Sequence, residues 1–296
     1  MKTSNLLIRS LTGLIYSLII ISAVLLYDYY VFTVLFFIVN IFAIYEFYKL
    51  VEKDQIYPQK INGIIISSLV FILSAIYVFI SGPYFDKLFH NSGFHLIALY
   101  VFLFSLSLVF LIIIPLYLFI IELYRKKGKP FSNVAFTLLG IIYITVPLSL
   151  LNLIPEFTEI KYILLWIFLL IWAYDTFAYL IGSRFGNKKL IPRISPKKSW
   201  AGLIGGSFAT IILSFIIFYF FNTKEEGFYN FIILAFLIII ACTFGDLIES
   251  LFKRSIDIKD SGNFLPGHGG LLDRFDSLLF AAPLVFIYYF ILFIIY

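Results

Sequence analysis

The stretch FYNFIILAFLIIIACTFGDLIESLFKRSIDIKDSGNFLPGHGGLLDRFD, Phe228 to Asp276, places two incompatible environments side by side. Phe228–Leu251 is a nearly unbroken apolar run, long enough as a helix to cross the hydrocarbon of a bilayer, which takes about 20 residues. The remainder gathers Asp257, Asp260, Asp273 and Asp276 with Lys253, Arg254, Lys259 and Arg274 around the turn Pro266-Gly267-His268-Gly269-Gly270. Asp246 and Glu249 stand inside the apolar run, three apart and therefore on one helical face. A chain this apolar does not need such a loop in order to fold. The fold is read as a membrane bundle, and the loop as something held at one of its faces.

Composition agrees. Of the 296 residues, 62% are hydrophobic and 13% charged, against roughly 45–50% and about 25% in soluble domains. So few charges cannot cover a soluble surface, and the chain is expected to be an all-α polytopic membrane protein. About nine segments reach spanning length: Leu6–Leu26, Tyr30–Leu50, Ile61–Ser81, Leu96–Leu123, Phe131–Leu153, Tyr162–Ile181, Leu203–Phe221, Phe228–Leu251 and Phe275–Tyr296. The fourth is overlong and holds Pro115, so it is expected to tilt or kink, and Pro147 and Pro283 are expected to bend the fifth and ninth. At the N-terminus, Lys2 and Arg9 precede an apolar run from Leu11 to Leu26. Its length and the lack of a small-x-small site predict a retained first helix rather than a cleaved signal peptide.

The loops then alternate in charge. All of the 22 Lys and Arg residues except Lys87, Lys161 and Lys224 fall on one side. Basic short loops stay in the cytosol, which predicts a cytoplasmic N-terminus, an outside C-terminus and a cytosolic Ser250–Asp276 loop. No repeat or low-complexity linker divides the chain, so one membrane domain is expected, with residues 1–155 as scaffold and 156–296 carrying the site. The first half reads as chemically quiet. Glu46 is expected to pair with Lys49 one turn on, and His90 and His95 are ordinary residues of an outer loop. The single cysteine, Cys242, excludes an intramolecular disulfide and a cysteine-based zinc site, and reads as a small buried residue.

The second half differs. Asp175 lies inside the sixth helix, about two turns from its cytoplasmic end, at a depth comparable to Asp246 and Glu249, while Asp273 and Asp276 open the ninth. Carboxylates inside a span are costly and mark functional or water-filled sites. Two basic loops surround them: Gly182–Ser199, which contains Arg184, Lys188, Lys189, Arg193, Lys197 and Lys198, and the segment with Lys253, Arg254 and Lys259. Acids at the centre and cations at the rim fit a Mg²⁺–polyphosphate complex, because Mg²⁺ takes one or two carboxylates together with phosphate oxygens and water. The glycine turn lets backbone N–H groups approach phosphate. No P-loop motif is present. A cation transporter would string its acids through the membrane depth between paired, discontinuous helices. Here the acids cluster at one face and no repeat is visible.

These residues carry a resemblance. The string Ser250-x-Phe252-Lys253-Arg254-x₄-Lys259-Asp260-x-Gly262-x₂-Leu265-Pro266-x-His268-Gly269-Gly270-Leu271-x-Asp273-Arg274-Phe275-Asp276 resembles the signature of the phosphatidate cytidylyltransferase (CDP-diacylglycerol synthase) family. Asp175-Thr176-x-Ala178-Tyr179-x₂-Gly182 and Ser195-Pro196-Lys197-Lys198-Ser199 are similar to further family motifs. The match covers the chain from about Trp172 onward. It departs at one position: the family usually carries a glutamate before the glycine that follows SPKK[ST], where Ala201 precedes Gly202 here.

The resemblance implies transfer of a cytidylyl group from CTP to phosphatidic acid in phospholipid biosynthesis, with two divalent or mixed cations including Mg²⁺. It also implies a homodimer in the inner membrane, with the site on the cytoplasmic side and no nucleic-acid partner. A CTP-dependent lipid kinase, or a cytidylyltransferase for another lipid, is the nearest alternative. Carried onto this chain, Asp246 and Asp273 are the leading metal ligands, with Asp276, Glu249 and Asp175 beside or behind them. Asp246, Asp273, Lys253 and Arg274 are the expected catalytic set. Ser195, Lys197, Lys198, Lys253, Arg254, Lys259, Gly269, Gly270 and Arg274 are expected at the nucleotide or lipid phosphates. His268 is expected to hydrogen-bond phosphate or order its own turn in preference to binding Mg²⁺.

Overall fold

The structure, a computed structural model, describes residues 2–25, 29–81, 112–160, 162–221, 227–258, 261–262 and 270–295. In the described residues the chain is a helical bundle. Its helices are α1 (Lys2–Leu25), α2 (Tyr29–Val51), α3 (Lys60–Ser81), α4 (Ile112–Tyr124), α5 (Pro130–Phe157), α6 (Ile163–Phe185), α7 (Trp200–Phe220), α8 (Phe228–Ser255) and α9 (Leu272–Ile295). Seven of these, α2, α3 and α5 to α9, are long and apolar enough to cross a membrane, and Gly13–Leu25 and Ile112–Tyr124 add shorter apolar helices. The expected fourth span, Leu96–Leu123, is described only from Ile112 on. Lys87, His90, His95, Lys161 and Lys224 lie outside the described residues.

The bundle is apolar on its outside as well as in its core. Leu18, Ile120, Phe208, Phe236 and Phe293 are all exposed. Such a belt would be an aggregation surface in water and is the right surface against lipid. The interior is closed by aromatic rings on α2. Phe36 stacks on Phe32 at 4.4 Å and meets Phe168 of α6 and Phe275 of α9 at 5.9 and 5.8 Å. One turn from the end of α2, Phe47 stacks on Phe252 of α8 at 5.1 Å. The first and second halves of the chain are thus one core.

Polar side chains join the helices where hydrophobic burial gives no preference over lipid. Asn40 of α2 donates to Ser67 of α3, which shares a hydrogen bond with Thr145 of α5, both at 2.7 Å. Glu122 of α4 is buried and accepts from Gln59, Asn133 and Arg125 at 2.7–2.8 Å, tying the entries of α3 and α5 to α4. Helix α5 contains a π-turn over Ile141–Thr145, immediately before Pro147. Proline removes an N–H and crowds the preceding turn, and a widened turn accommodates both. The bend expected at Pro147 therefore takes the form of a π-turn. Pro283 sits inside the helical run of α9. Cys242 is buried and free, as expected.

One element was not anticipated. The basic stretch after α6, read as a loop, contains a two-stranded antiparallel hairpin, β1 (Lys189–Ile191) and β2 (Ser195–Ser199), with Lys189 opposite Ser199 and Ile191 opposite Ser195. The turn is closed by Ile194 N–H donating to the Ile191 carbonyl at 3.1 Å, and Trp200 N–H donates to the Lys188 carbonyl at 3.0 Å.

Candidate active site

A cavity of about 650 Å³ opens between α6, the hairpin, α7, α8 and the first turn of α9. Its walls are brought together by small residues. A Cβ on Gly202 of α7 would stand 2.7 Å from the Ala178 carbonyl oxygen and 3.3 Å from Gly182 Cα, so α6 and α7 touch backbone to backbone at this level. A Cβ on Gly186 would collide with the Gly182 carbonyl and the Ser199 hydroxyl. Ser199 caps α7, its hydroxyl accepting from Gly202 N–H at 3.2 Å, which is the ordinary task of serine at a helix start. The cap fixes the last residue of the hairpin onto the first turn of α7. Strand β2 is thereby held so that Lys197 and Lys198 face the cavity.

Carboxylates arrive from three helices. Asp175 of α6, Asp246 of α8, and Asp273 and Asp276 of α9 all line the cavity with Arg274. Lys198 forms an ion pair with Asp246, whose side chain keeps 37% of its surface accessible. Tyr174 and Thr243 share a hydrogen bond of 2.7 Å that ties α6 to α8 beside Asp175 and Asp246. Gly245 lets α8 approach α9, since a Cβ there would lie 2.7 Å from the Asp276 carbonyl oxygen.

The expected residues therefore separate into groups. Asp175, Asp246, Asp276, Lys197, Lys198 and Arg274 share one cavity. Asp273 reaches the same cavity, but its carboxylate is already engaged: Oδ1 accepts from Lys253 Nζ at 2.6 Å, and Oδ2 accepts from the backbone N–H groups of Ser261 and Gly270, each at 3.1 Å. Lys253 is not on the cavity wall. It bridges Asp273 and Glu249, the latter at 3.4 Å. Glu249 is buried beside Asp276 and takes its counter-charge from Lys253. Arg254 is exposed and donates to the Ile258 carbonyl at 3.0 Å, at the end of its own helix. Ser195 lies on β2 and Gly270 in the approach to α9, both off the cavity wall, as does Ala201 in the first turn of α7. Lys259, Asp260, His268 and Gly269 lie outside the described residues.

Glu46 corrects the sequence reading. It makes no ion pair with Lys49. Its buried carboxylate accepts from the Ser261 hydroxyl at 2.5 Å, Leu271 N–H at 2.8 Å and Leu272 N–H at 3.4 Å. A Cβ on Gly270 would collide with both Glu46 Oε1 and the Ser261 hydroxyl, so a side chain there would have to displace this contact.

The side-chain groups at the cavity that could hold a cation are oxygens, carboxylates foremost, with no cysteine and no histidine among the described lining residues. No three of the described acids close into a ready-made metal cage. Mg²⁺ is seldom held by an all-protein cage and keeps places for water and substrate phosphate. Asp175, Asp246 and Asp276 leave places for water and phosphate oxygens, and so suit an ion that enters with a polyphosphate.

The fold and cavity define an all-α polytopic membrane protein with a polar, charged chamber inside its apolar belt. The chain matches the model of the cytidylyltransferase family over residues 7–292. It is 46% identical over 132 residues to the phosphatidate cytidylyltransferase of Haemophilus influenzae, a match that spans 44% of this chain and 46% of that protein. To the phosphatidate cytidylyltransferase of Rickettsia bellii it is 40% identical over 161 residues, 52% of this chain and 69% of the relative. To that of Staphylococcus aureus it is 39% identical over 162 residues, 54% and 60%. The chain belongs to the cytidylyltransferase family, and is a membrane-embedded nucleotidyltransferase.

Proposed function

We propose that this enzyme transfers the cytidylyl group of CTP to phosphatidic acid, giving CDP-diacylglycerol and pyrophosphate for phospholipid synthesis. The observation that carries this reading is the convergence of Asp175, Asp246 and Asp276 with Lys197, Lys198 and Arg274 on one cavity within an apolar bundle. An oxygen of the lipid phosphate attacks the α-phosphorus of CTP. The new P–O bond forms as the bond to the oxygen bridging the α- and β-phosphates breaks, and the electron pair leaves with pyrophosphate. The attacking group is already an anion, so no Ser-His-Asp device is required and catalysis rests on positioning and charge.

Lys197, Lys198 and Arg274 hold the phosphate oxygens of the two substrates. Asp246, Asp276 and Asp175 would hold Mg²⁺, with Glu249 behind them. The ion supplies neutralisation of charge on the reacting phosphates. Lys253 and Asp273 fix the first turn of α9 in place through their ion pair. The distribution of Lys and Arg supports a site that faces the cytosol from the inner membrane, and the family resemblance supports a homodimer. These two statements belong to the same proposal.

The test supplies purified protein in detergent with Mg²⁺, phosphatidic acid and CTP labelled at either the α- or the γ-phosphate. Label from the α-position should enter the lipid fraction. Entry of the γ-label alone would replace this reading with a CTP-dependent lipid kinase.

A further inference from the structure

We infer that Glu46 is a positioning residue for cytidylyl transfer, holding the first turn of α9 in the register that presents Asp273, Arg274 and Asp276 to the cavity. The inference rests on the reaction proposed above. Two carboxylates grip the same short piece of backbone from opposite sides. Glu46, from α2, takes the Ser261 hydroxyl and the N–H groups of Leu271 and Leu272. Asp273, from α9 itself, takes the N–H groups of Ser261 and Gly270. Ser261, where the chain leaves the α8 side, and Gly270–Leu272, where it enters α9, are thereby fastened to each other and to α2.

The N–H groups at a helix start have no partner within the helix. Those of Leu271 and Leu272 find one on a side chain more than two hundred positions away in sequence. The contact is built closely: a Cβ on Gly262 would stand 3.3 Å from the Glu46 carboxyl carbon, and one on Gly270 would collide with Glu46 Oε1 and the Ser261 hydroxyl. A carboxylate suits this place because it offers two acceptor oxygens and a negative charge to a helix N-terminus.

Glu46 touches neither the cavity nor the groups assigned to substrate. It acts through Asp273, whose other oxygen holds Lys253, and through the helical turn that carries Arg274 and Asp276. Two features separate this role from plain structural support. Helices α2 and α9 also meet through Phe36 and Phe275, and α2 and α8 through Phe47 and Phe252, so the bundle stays docked without the carboxylate. The groups Glu46 steers are those facing the reacting phosphates, where a displacement of about 1 Å can cost on the order of 10²-fold in rate.

The experiment compares the full-length wild type with Glu46→Gln, Ser261→Ala and the neighbouring Lys49→Ala. Rates of α-label transfer are measured over ranges of CTP and phosphatidic acid, and hydrogen–deuterium exchange is followed in the peptide covering Gly270–Ser277. In Glu46→Gln we expect kcat to fall about tenfold or more, KM for CTP to stay within about twofold of wild type, and exchange in that peptide to speed up. Ser261→Ala should show a smaller change of the same kind, and Lys49→Ala none. Unchanged kcat or unchanged exchange in Glu46→Gln overturns the inference, as does a defect confined to KM or to protein yield. Should the wild type move no α-label, the reaction assigned above fails by itself, and the exchange arm still decides whether Glu46 holds the turn.

Discussion

Lys198 of the hairpin and Asp246 of α8 form an ion pair across the cavity, so a cation from the protein already sits on the central carboxylate. Nucleotide phosphates entering with their own counter-ion offer Lys198 a second anionic partner. Lys198→Met should therefore lower kcat/KM for CTP by about 10- to 100-fold, the value of one charged hydrogen bond at about 1.5–3 kcal/mol. Initial rates over a CTP series measure it, and an unchanged kcat/KM would remove Lys198 from the nucleotide site.

Asp246 and Asp273 are expected to respond differently to the same substitution. Asp246 presents a partly accessible carboxylate to the cavity, so Asp246→Asn should abolish transfer with little loss of thermal stability. Asp273 is engaged on both oxygens and pairs with a Lys253 whose side chain is only 13% exposed. Asp273→Asn removes the nearer of the two carboxylates on Lys253 and weakens the hold on Ser261 and Gly270, and a hydrogen bond to a charged group is worth about 1.5–3 kcal/mol. Activity and melting temperature should fall together. Equal melting curves for the two variants would contradict the structural role given to Asp273.

The contact between α6 and α7 makes a prediction with an internal control. Gly202→Ala puts a methyl group 2.7 Å from a backbone carbonyl that cannot swing aside. Alanine's better helix propensity returns at most about 1 kcal/mol, while overpacking costs about 1–3 kcal/mol, so the variant should be less stable and less active. Gly128→Ala meets nothing within 4 Å and should be neutral in both assays. Thermal unfolding in detergent distinguishes them.

Glu122 anchors polar contacts far in sequence from the site residues and should matter for folding alone. Removing its carboxylate in Glu122→Ala takes one acceptor from Gln59 and Asn133 and the ion-pair partner from Arg125. A loss of about 3 kcal/mol is expected, with kcat per folded molecule retained. A selective fall in kcat at unchanged stability would show that this cluster communicates with the cavity.

The helices and the acids were legible in the sequence because each follows a strong rule. Apolar runs of spanning length have few alternatives, and an intramembrane carboxylate is too costly to be incidental. Asp175, Asp246 and Asp276 could be drawn to one level by helical spacing alone. Glu46 could not, because local spacing offers Lys49 as its partner, whereas the structure gives it Ser261, Leu271 and Leu272 at a separation no periodic rule covers. The hairpin escaped for a related reason: Ser195–Ser199 is polar and short, without the alternation that marks a strand. Arg254 shows the limit of counting charge. Its neighbour Lys253 turns inward to two carboxylates, while Arg254 closes its own helix.

The hairpin also acts as a depth gauge. It has two strands, so both of its outer edges carry backbone groups that no third strand satisfies, and open sheet edges facing lipid do not occur within hydrocarbon. Wherever such an edge faces outward from the bundle, the boundary between oil and headgroups is expected to lie below Lys189 and Ser199. Asp175 is ten residues before the end of α6 at Phe185, about 15 Å down the helix at 1.5 Å per residue. On that placement the cavity would descend from the headgroup layer into the level of the acyl chains. For the proposed reaction, a water-soluble triphosphate and a lipid still anchored by its tails would then meet along that height, neither one leaving its own phase.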